Sequence, residues 1–164
     1  MLPAVEKWSV AWVKARCEKS LADYLAGLNV PHFLPLISKR RLYGSHVRNS
    51  KLPLFPGYVF FDASVVPQSK VFASRKVAQI LLPPDSAALN HELSNIELAI
   101  AHDVDMRETR FGKPGQLVQV ARGPMKGLQG ELVRLGDHNR LVVRVGFIGK
   151  AAVLEIDEAF IEPR

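Results

Sequence analysis

The stretch Pro53-Leu-Phe-Pro-Gly-Tyr-Val-Phe-Phe61 joins a Pro-Gly corner to a strand dense in aromatic side chains. Two prolines and a glycine fix the backbone before the strand begins, so Phe55 and Tyr58 are held in one place. Because successive side chains of a strand point to opposite faces, about half of the ring area belongs to the core. The other half either belongs to the core as well or faces a partner, and tyrosine suits an interface because it combines a large rigid face with one hydroxyl group.

Strands and helices alternate around this corner. Residues 8–13 combine aromatic and β-branched side chains and are predicted as a first strand. Apolar residues at helical spacing from Leu21 to Leu28 predict a helix that ends before Pro31. The further elements are predicted as a strand at 32–42, a hairpin loop or β-extension at 43–51, a strand at 58–61, a short helix at 67–75, a strand at 78–82 and a helix at 88–101. The order β-α-β-β-α-β-α indicates an α+β, split βαβ domain with one extra helix.

The last part of the chain has a different pattern. Between residues 102 and 113 the apolar periodicity stops and charges alternate in sign, which predicts a linker. Strand-like runs then occupy 117–120, 130–135, 140–147 and 151–156, separated by Gly, Asp and Asn turns. Short strands over about fifty residues are typical of a small SH3-like barrel. The predicted organisation is a domain at 1–101, a linker at 102–113 and a second domain at 114–164.

Positive charge is concentrated in one segment. The whole chain carries a net charge of +6, and residues 14–51 alone account for that excess. Lys14, Arg16 and Lys19 lie at a strand-to-helix junction, where helix N-terminal amides favour phosphate, and we predict that they bind nucleic acid. Lys39, Arg40 and Arg41 have two interpretations, either further phosphate contacts or a charged strand edge that discourages aggregation.

Signals for catalysis, metal binding and membrane insertion are missing from the sequence. Its five histidines are scattered, Cys17 is the single cysteine, and no phosphate-binding glycine loop opens a helix. We therefore expect no enzyme activity, no cofactor and no metal. No apolar run reaches membrane-spanning length, and the N-terminus lacks the layout of a signal peptide, so a cytoplasmic protein is expected.

A second glycine-rich signature lies in the run Val118-Gln-Val-Ala-Arg-Gly-Pro-Met-Lys-Gly-Leu-Gln-Gly-Glu-Leu132. It resembles a KOW motif, carried by Gly123, Pro124, Gly127 and Gly130. With Trp8-Ser-Val-Ala-Trp-Val13 and the aromatic corner in this order, the chain resembles the NusG family of transcription factors. That resemblance implies a ferredoxin-like N-terminal NusG domain followed by an SH3-like KOW barrel, with the glycines allowing positive φ and a strand bend.

The resemblance also implies partners. In the NusG family the aromatic strand and its corner dock on the clamp helices of the largest RNA polymerase subunit, which makes Phe55 and Tyr58 the leading contacts, with Trp12 behind them. Specialised paralogues of the RfaH type use the region of Lys14 to touch the non-template DNA strand. KOW barrels recruit a small-subunit ribosomal protein or the termination factor Rho, and the expected contacts are Met125, Phe147 and Ile148.

The predicted function is transcription elongation or antitermination by a monomeric factor that keeps the polymerase processive. The chain resembles an RfaH-type paralogue, but one with an intact KOW domain. Glycine weakens a helix by about 1 kcal/mol and proline by about 3, so the glycines and proline of the C-terminal half disfavour a helical form of it. The alternative is a KOW-containing ribosomal or RNA-binding protein. The sequence leaves open a housekeeping or operon-specific role.

Overall fold

The computed structural model describes residues 2–102, 106–110, 115–135 and 138–164. The chain divides into two units, Met1–Pro35 with Phe55–Asn90 and Leu36–Leu54 with His91–Arg164. The domain boundaries predicted from the sequence stay a prediction. Of the predicted linker, residues 103–105 and 111–113 lie outside the described ranges.

The secondary structure follows the predicted order with a few differences. The helices are α1 (Glu18–Gly27), α2 (Gln68–Phe72) and α3 (Ser86–Ala101). The strands are β1 (Trp8–Val13), β2 (His32–Phe33), β3 (Leu36–Tyr43), β4 (His46–Pro53), β5 (Tyr58–Asp62), β6 (Val77–Leu81), β7 (Met106–Arg110), β8 (Gln116–Val120), β9 (Gln129–Leu135), β10 (His138–Val145), β11 (Lys150–Glu155) and β12 (Ile161–Pro163). This mixture of helices and antiparallel sheets confirms the α+β class.

The first unit is built on an antiparallel sheet of order β2-β5-β1-β6. The strand predicted at 32–42 is instead interrupted at residues 34–35, because Pro35 has no N–H to donate to a ladder. Its second part becomes β3, which pairs with β4 from Leu36↔Pro53 to Tyr43↔His46. Of the two interpretations of residues 43–51, the β-extension is therefore the one that forms.

The centre of this sheet is buried. Every residue of β5 is buried. On one face Ala11 and Phe61 pack in a cluster with Leu21, Leu25 and other apolar residues of the helices. On the other face the Trp8 indole N–H donates to Asn90 Oδ1 at 2.9 Å, and the Trp8 amide donates to Ser86 Oγ at 2.9 Å. The N-terminal part of α3 is thereby hydrogen-bonded to the start of β1.

Asp62 closes the end of β5 by binding the chain before β1. Its carboxylate accepts the amide N–H groups of Glu6 at 3.2 Å and Lys7 at 3.3 Å. It also accepts both the amide and the hydroxyl of Ser64, at 2.9 and 2.6 Å. Burial would raise the pKa of Asp62, but the hydrogen bonds from Ser64, Glu6 and Lys7 outweigh it and lower that pKa.

The second unit contains an antiparallel sheet of order β12-β8-β9-β10-β11-β7. Strand β7 lies in the segment predicted as linker and pairs with β11 from Met106↔Leu154 to Arg110↔Lys150. An edge strand is held by main-chain hydrogen bonds, so it needs no apolar period in its sequence. This is why the charged segment gave no strand signal.

The glycines of the second signature meet two separate requirements. Gly123 and Gly127 have φ values of +89° and +95°, which other residues rarely adopt, as the turn between the strands was predicted to need. At Gly130 the requirement is space, since a Cβ there would lie 2.7 Å from the carbonyl oxygen of Val142. Strands β9 and β10 can approach each other closely only because position 130 has no side chain.

We predict that Asp62→Ala lowers the free energy of unfolding by about 1–3 kcal/mol near neutral pH, because four donors lose a charged acceptor. A depressed folded pKa contributes stability above the ordinary aspartate value of 3.8, and that contribution is lost as pH falls through the folded pKa. Urea unfolding across this range measures both effects. Asp23→Ala removes an exposed carboxylate of α1 and is the control. Equal stability of the two variants at neutral pH would contradict the assignment.

Candidate functional site

An aromatic pair with one exposed ring lies across β1 and β5. Trp12 is opposite Tyr58 in the strand register, and their ring centroids are 5.3 Å apart in an edge-to-face arrangement. Trp12 is 47% exposed, whereas Tyr58 is 8% and Phe55 only 1% exposed. The expectation that Phe55 and Tyr58 point outward is therefore wrong, because both rings are buried and Trp12 is the exposed ring.

Local geometry explains both differences. Phe55 precedes β5 in a turn in which the Tyr58 amide donates to its carbonyl at 3.3 Å, so strand alternation does not govern its direction. Between Trp12 and Val13 the pairing of β1 with β6 changes register. Such an irregularity twists a strand and redirects a side chain. Neither the turn nor the shift leaves a signal in the hydrophobic pattern.

The Pro-Gly corner is held by a buried acid that sequence reasoning missed. Glu18 is 8% exposed, and its carboxylate accepts the Gly57 amide at 3.0 Å. Gly57 has a φ of +93°, and its carbonyl accepts the Val13 amide at 2.9 Å. The corner is thus bonded both to the start of α1 and to the end of β1. The sequence does show Glu18 in the first turn of α1. A count of charged residues, however, does not distinguish a buried glutamate that accepts a hydrogen bond from one exposed to solvent.

The structure places the basic residues around the start of α1 beside a second basic pair. Lys14, Arg16 and Lys19 are exposed. The Lys14 amide donates to the Lys76 carbonyl at 2.8 Å, so the turn that follows α2 meets the turn that precedes α1. This surface, which we call the basic junction, comprises Lys14, Arg16, Lys19, Arg75 and Lys76. The last two were missed because only the β1–β6 pairing brings them near.

Two arginines of the basic junction occupy unusual backbone conformations. Arg16 and Arg75 both have φ of +62°, in the left-handed region that disfavours side chains other than glycine. Such conformations cost on the order of 1 kcal/mol and persist where the surrounding structure enforces them. The backbone that carries each of these two arginine side chains is therefore held in a fixed conformation.

The three residues predicted to contact a partner from the second unit are all half-buried. Met125 lies in the loop between β8 and β9, and Phe147 and Ile148 lie in the 3-10 turn Gly146–Ile148 after β10. Phe160 is more exposed, at 44%, and its carbonyl accepts the Ala121 amide at 2.7 Å. The Phe160 backbone is thereby bonded to the start of the loop that carries Met125. Sequence reasoning missed it because no strand period reaches that position.

The side chains of Arg40 and Arg41 lie outside the described part of the structure. Their backbones form part of β3, next to the exposed Lys39. This set belongs to the second unit, whereas the basic junction belongs to the first.

A polar cluster in the second unit joins the later turns of α3 to the strands. The Gly146 amide donates to Glu92 at 2.8 Å, and the Gln129 amide donates to Asn95 at 3.1 Å. Beneath them Glu131 pairs with Arg144 and accepts the Gly115 amide at 3.0 Å. The arrangement is structural, because its acceptors are occupied by groups of the same chain. Burial raises the pKa of Glu92, against the opposing effects of Gly146 and His91.

Within the described ranges, no group of three or more His, Cys, Asp or Glu residues could hold a metal ion. Among those residues, no helix is both long and apolar enough to cross a membrane.

Comparison with known protein families gave a match. Residues 6–95 match the family model described as transcription termination factor nusG. The class is therefore that of transcription factors rather than enzymes. Because the match covers more than half of the chain, the protein belongs to the NusG family. Proteins of this family bind RNA polymerase. No curated protein matched the chain.

We predict that Glu92→Gln stabilises the protein near neutral pH and has no effect in acid. A carboxyl group with a raised folded pKa holds its proton more tightly when folded, so its unfavourable contribution appears as pH rises above the ordinary value of 4.5. The amide of glutamine can still accept from Gly146 without a charge to desolvate. Unfolding free energies from urea titrations on both sides of this range measure the effect.

The control for this prediction is Glu158→Gln, which neutralises an exposed carboxylate near the C-terminus. If Glu92→Gln and the control change stability equally at every pH, the cost assigned to burying Glu92 does not exist.

Proposed function

We propose that this chain is a transcription elongation and antitermination factor that docks on the clamp helices of the largest RNA polymerase subunit through Trp12 and Tyr58. The observation that carries the proposal is the exposed Trp12 ring, fixed edge-to-face on Tyr58 at one end of the β1–β5 pairing. Its strand neighbours Ala11 and Val13 are 0% and 3% exposed, so the backbone that presents the ring is held in the core.

Rigid presentation is what makes an aromatic ring effective at an interface. Trp12 pairs with Tyr58 on one side and with Gln79 on the other, so both neighbouring strands restrain it. A preorganised tryptophan loses little conformational entropy when a partner covers it, and tryptophan is enriched among interface hot spots. Phe55 then supports Tyr58 from the core instead of touching the partner.

Two domains are proposed for this function. The order β2-β5-β1-β6, antiparallel throughout, is the order expected of a ferredoxin-like split βαβ domain and supports an N-terminal NusG domain at 1–101. Strands β8 to β12 support a KOW domain of the SH3-like barrel type at 114–164. Gly123 and Gly127 provide the positive φ of the connection between two of these strands, and Gly130 permits the close approach of β9 to β10. The linker proposed between them at 102–113 includes β7, which pairs with β11 of the second unit.

The second domain is proposed to recruit either a small-subunit ribosomal protein or Rho through Met125, Phe147 and Ile148, to which we add the exposed Phe160. The strand pairing of β10 with β9 and β11 supports an intact barrel in place of a helical alternative. An RfaH-like role on particular operons and a housekeeping role are both compatible with these features.

The basic junction is proposed to contact the non-template DNA strand. Lys14 and Arg16 lie in the turn before α1 and Lys19 lies in its first turn. The Lys14 amide donates to the carbonyl of Lys76, which follows Arg75 in the chain. Glu18, the acid nearest in sequence, is buried and directs its carboxylate to the Gly57 amide instead of to the surface. Cations on fixed turns suit phosphate groups, which position a strand without reading its sequence.

The docking surface is tested by single substitutions. We predict that Trp12→Ala weakens binding to a clamp-helix fragment by about 2 kcal/mol or more, roughly 30-fold in Kd, because a central buried aromatic is lost. Phe72→Ala removes a ring of α2 that is 41% exposed in the same unit, and it should leave binding unchanged. Isothermal titration with the purified fragment measures both.

Phe55→Ala separates the two assignments of that ring. As a core residue it should destabilise the fold by about 3–5 kcal/mol. Normal binding of the clamp-helix fragment by a folded Trp12→Ala variant would contradict the docking surface. If that variant also binds RNA, the alternative of a KOW-containing RNA-binding protein is favoured.

Replacing Lys14, Arg16 and Lys19 by glutamine should flatten the salt dependence of single-strand binding. The slope of log K against log salt is negative, and each phosphate that is no longer neutralised reduces its magnitude by about 0.7. Fluorescence anisotropy with a labelled single strand over a salt series gives the slope. Lys126→Gln removes an exposed cation from the second unit and is compared with Lys14→Gln alone. Identical slopes for these two single variants would show that the basic junction only solubilises the protein.

A further inference from the structure

Gly57 of the Pro-Gly corner is hydrogen-bonded through both of its backbone groups. Its amide donates to Glu18 Oε2 at 3.0 Å, and its carbonyl accepts the Val13 amide at 2.9 Å. Gly57 directly precedes Tyr58, and Val13 directly follows Trp12. A single residue therefore connects both strands of the aromatic pair to the start of α1.

The aromatic pair lies at the end of its ladder. The register of β1 with β5 begins at Trp8↔Asp62 and ends at Trp12↔Tyr58, and the pairing of β1 with β6 shifts directly after Trp12. The last pair of a ladder has a neighbouring pair on one side only, so the ladder restrains it less than the pairs at its centre. The hydrogen bonds of Gly57 lie just beyond this last pair and add the restraint that the ladder lacks there.

The acceptor of the Gly57 amide is a charged and buried side chain. Glu18 is 8% exposed and is the first residue of α1. Burial of a carboxylate is costly unless it is hydrogen-bonded, and the positive end of the helix macrodipole offsets part of that cost. A hydrogen bond to a charged acceptor is also roughly twice as strong as one between neutral groups. The Gly57 amide is therefore held strongly by a residue of a regular helix.

Glycine at position 57 makes the corner possible but does not by itself hold it in one conformation. Its φ of +93° is one that other residues rarely adopt. Glycine has more backbone conformations available than any other residue, and it has no side chain whose packing could select one of them. Hydrogen bonds must therefore hold the corner, and the bond from Glu18 restrains the residue directly before Tyr58.

We propose that Glu18 is a positioning residue of the polymerase-docking surface. Its carboxylate fixes Gly57, and Gly57 in turn fixes the arrangement of the Trp12 and Tyr58 rings, whose centroids lie 5.3 Å apart at an interplanar angle of 67°. Glu18 is buried, so it acts through Gly57 and not by touching the partner. Without its carboxylate the two rings would sample several arrangements, and ordering them on binding would cost affinity. The inference rests on the proposed function, because it concerns the same aromatic pair.

Substitutions at the two ends of the β1–β5 ladder separate positioning from stability. Asp62 is the matched control, because its residue is 3% exposed and its carboxylate also accepts backbone amides, but at the opposite end of the register. Glu18→Ala should weaken binding of the full chain to the clamp-helix fragment about 10-fold in Kd, the effect of one lost buried hydrogen bond. Glu18→Gln keeps an acceptor oxygen and should bind nearly as tightly as the parent. Asp62→Ala should unfold at lower urea concentration but keep the parent Kd.

Amide hydrogen exchange, followed by NMR, gives a second measurement that needs no polymerase. In Glu18→Ala the amides of Gly57 and Val13 should exchange faster relative to those around Val10 and Phe60, which pair at the centre of the ladder. A general loss of stability would instead accelerate all amides that exchange through global unfolding. Local acceleration at the corner therefore distinguishes positioning from a purely structural role.

Isothermal titration measures Kd at a temperature at which circular dichroism shows every variant to be folded. Unchanged affinity of Glu18→Ala would overturn the inference. An equal loss of affinity in Glu18→Ala and Asp62→Ala would also overturn it, because reduced stability would then account for both. Uniform acceleration of amide exchange in Glu18→Ala would have the same consequence.

The Trp12→Ala variant distinguishes failure of this inference from failure of the proposed function. If Trp12→Ala weakens binding and Glu18→Ala does not, the docking surface stands and the role of Glu18 is refuted. If Trp12→Ala binds the fragment normally, the docking surface itself is refuted, and the role assigned to Glu18 falls with it.

Discussion

The pairing of β1 with β5 is the interaction on which the first unit depends. Its register runs from Trp8↔Asp62 to Trp12↔Tyr58. At one end it places Asp62 beneath the amides of Glu6 and Lys7, and at the other it brings the two rings of the aromatic pair together. A slip of one residue would turn every side chain of β5 to the opposite face. The hydrogen bonds of Asp62 to Glu6 and Lys7 oppose such a slip at one end, and the hydrogen bonds of Gly57 oppose it at the other.

Burial and exposure are divided sharply along this pair of strands. The residues of β5 lie in the core, including three consecutive apolar side chains that are 0% exposed, Val59, Phe60 and Phe61. Trp12 projects from that core and keeps nearly half of its surface in contact with solvent. Removing a large apolar ring from water is worth about 25 cal/mol for each Å² covered. A partner that covers Trp12 therefore gains apolar contact without any rearrangement of the strands beneath it.

The sequence predicted features that local chemistry determines. Helical spacing located α1 and α3, the Pro-Gly corner preceded β5, and the need for positive φ at Gly123 and Gly127 was anticipated. Features set by contacts distant in sequence were missed. Strand β7 exists through its main-chain pairing with β11, and Arg75 reaches the basic junction only through the pairing of β6 with β1. Phe55 was misplaced because a turn, which has no strand period, sets its direction.

The two tryptophans of the chain lie four positions apart in β1 but in opposite environments. Trp8 is 1% exposed and bonded to Asn90, whereas Trp12 is 47% exposed. An indole held in the core emits at shorter wavelength and resists external quenchers, while an indole in water emits at longer wavelength and is readily quenched. The protein thus carries two intrinsic optical probes on one strand, Trp8 for folding and Trp12 for events at the surface. Unlabelled protein is sufficient to follow the two processes separately.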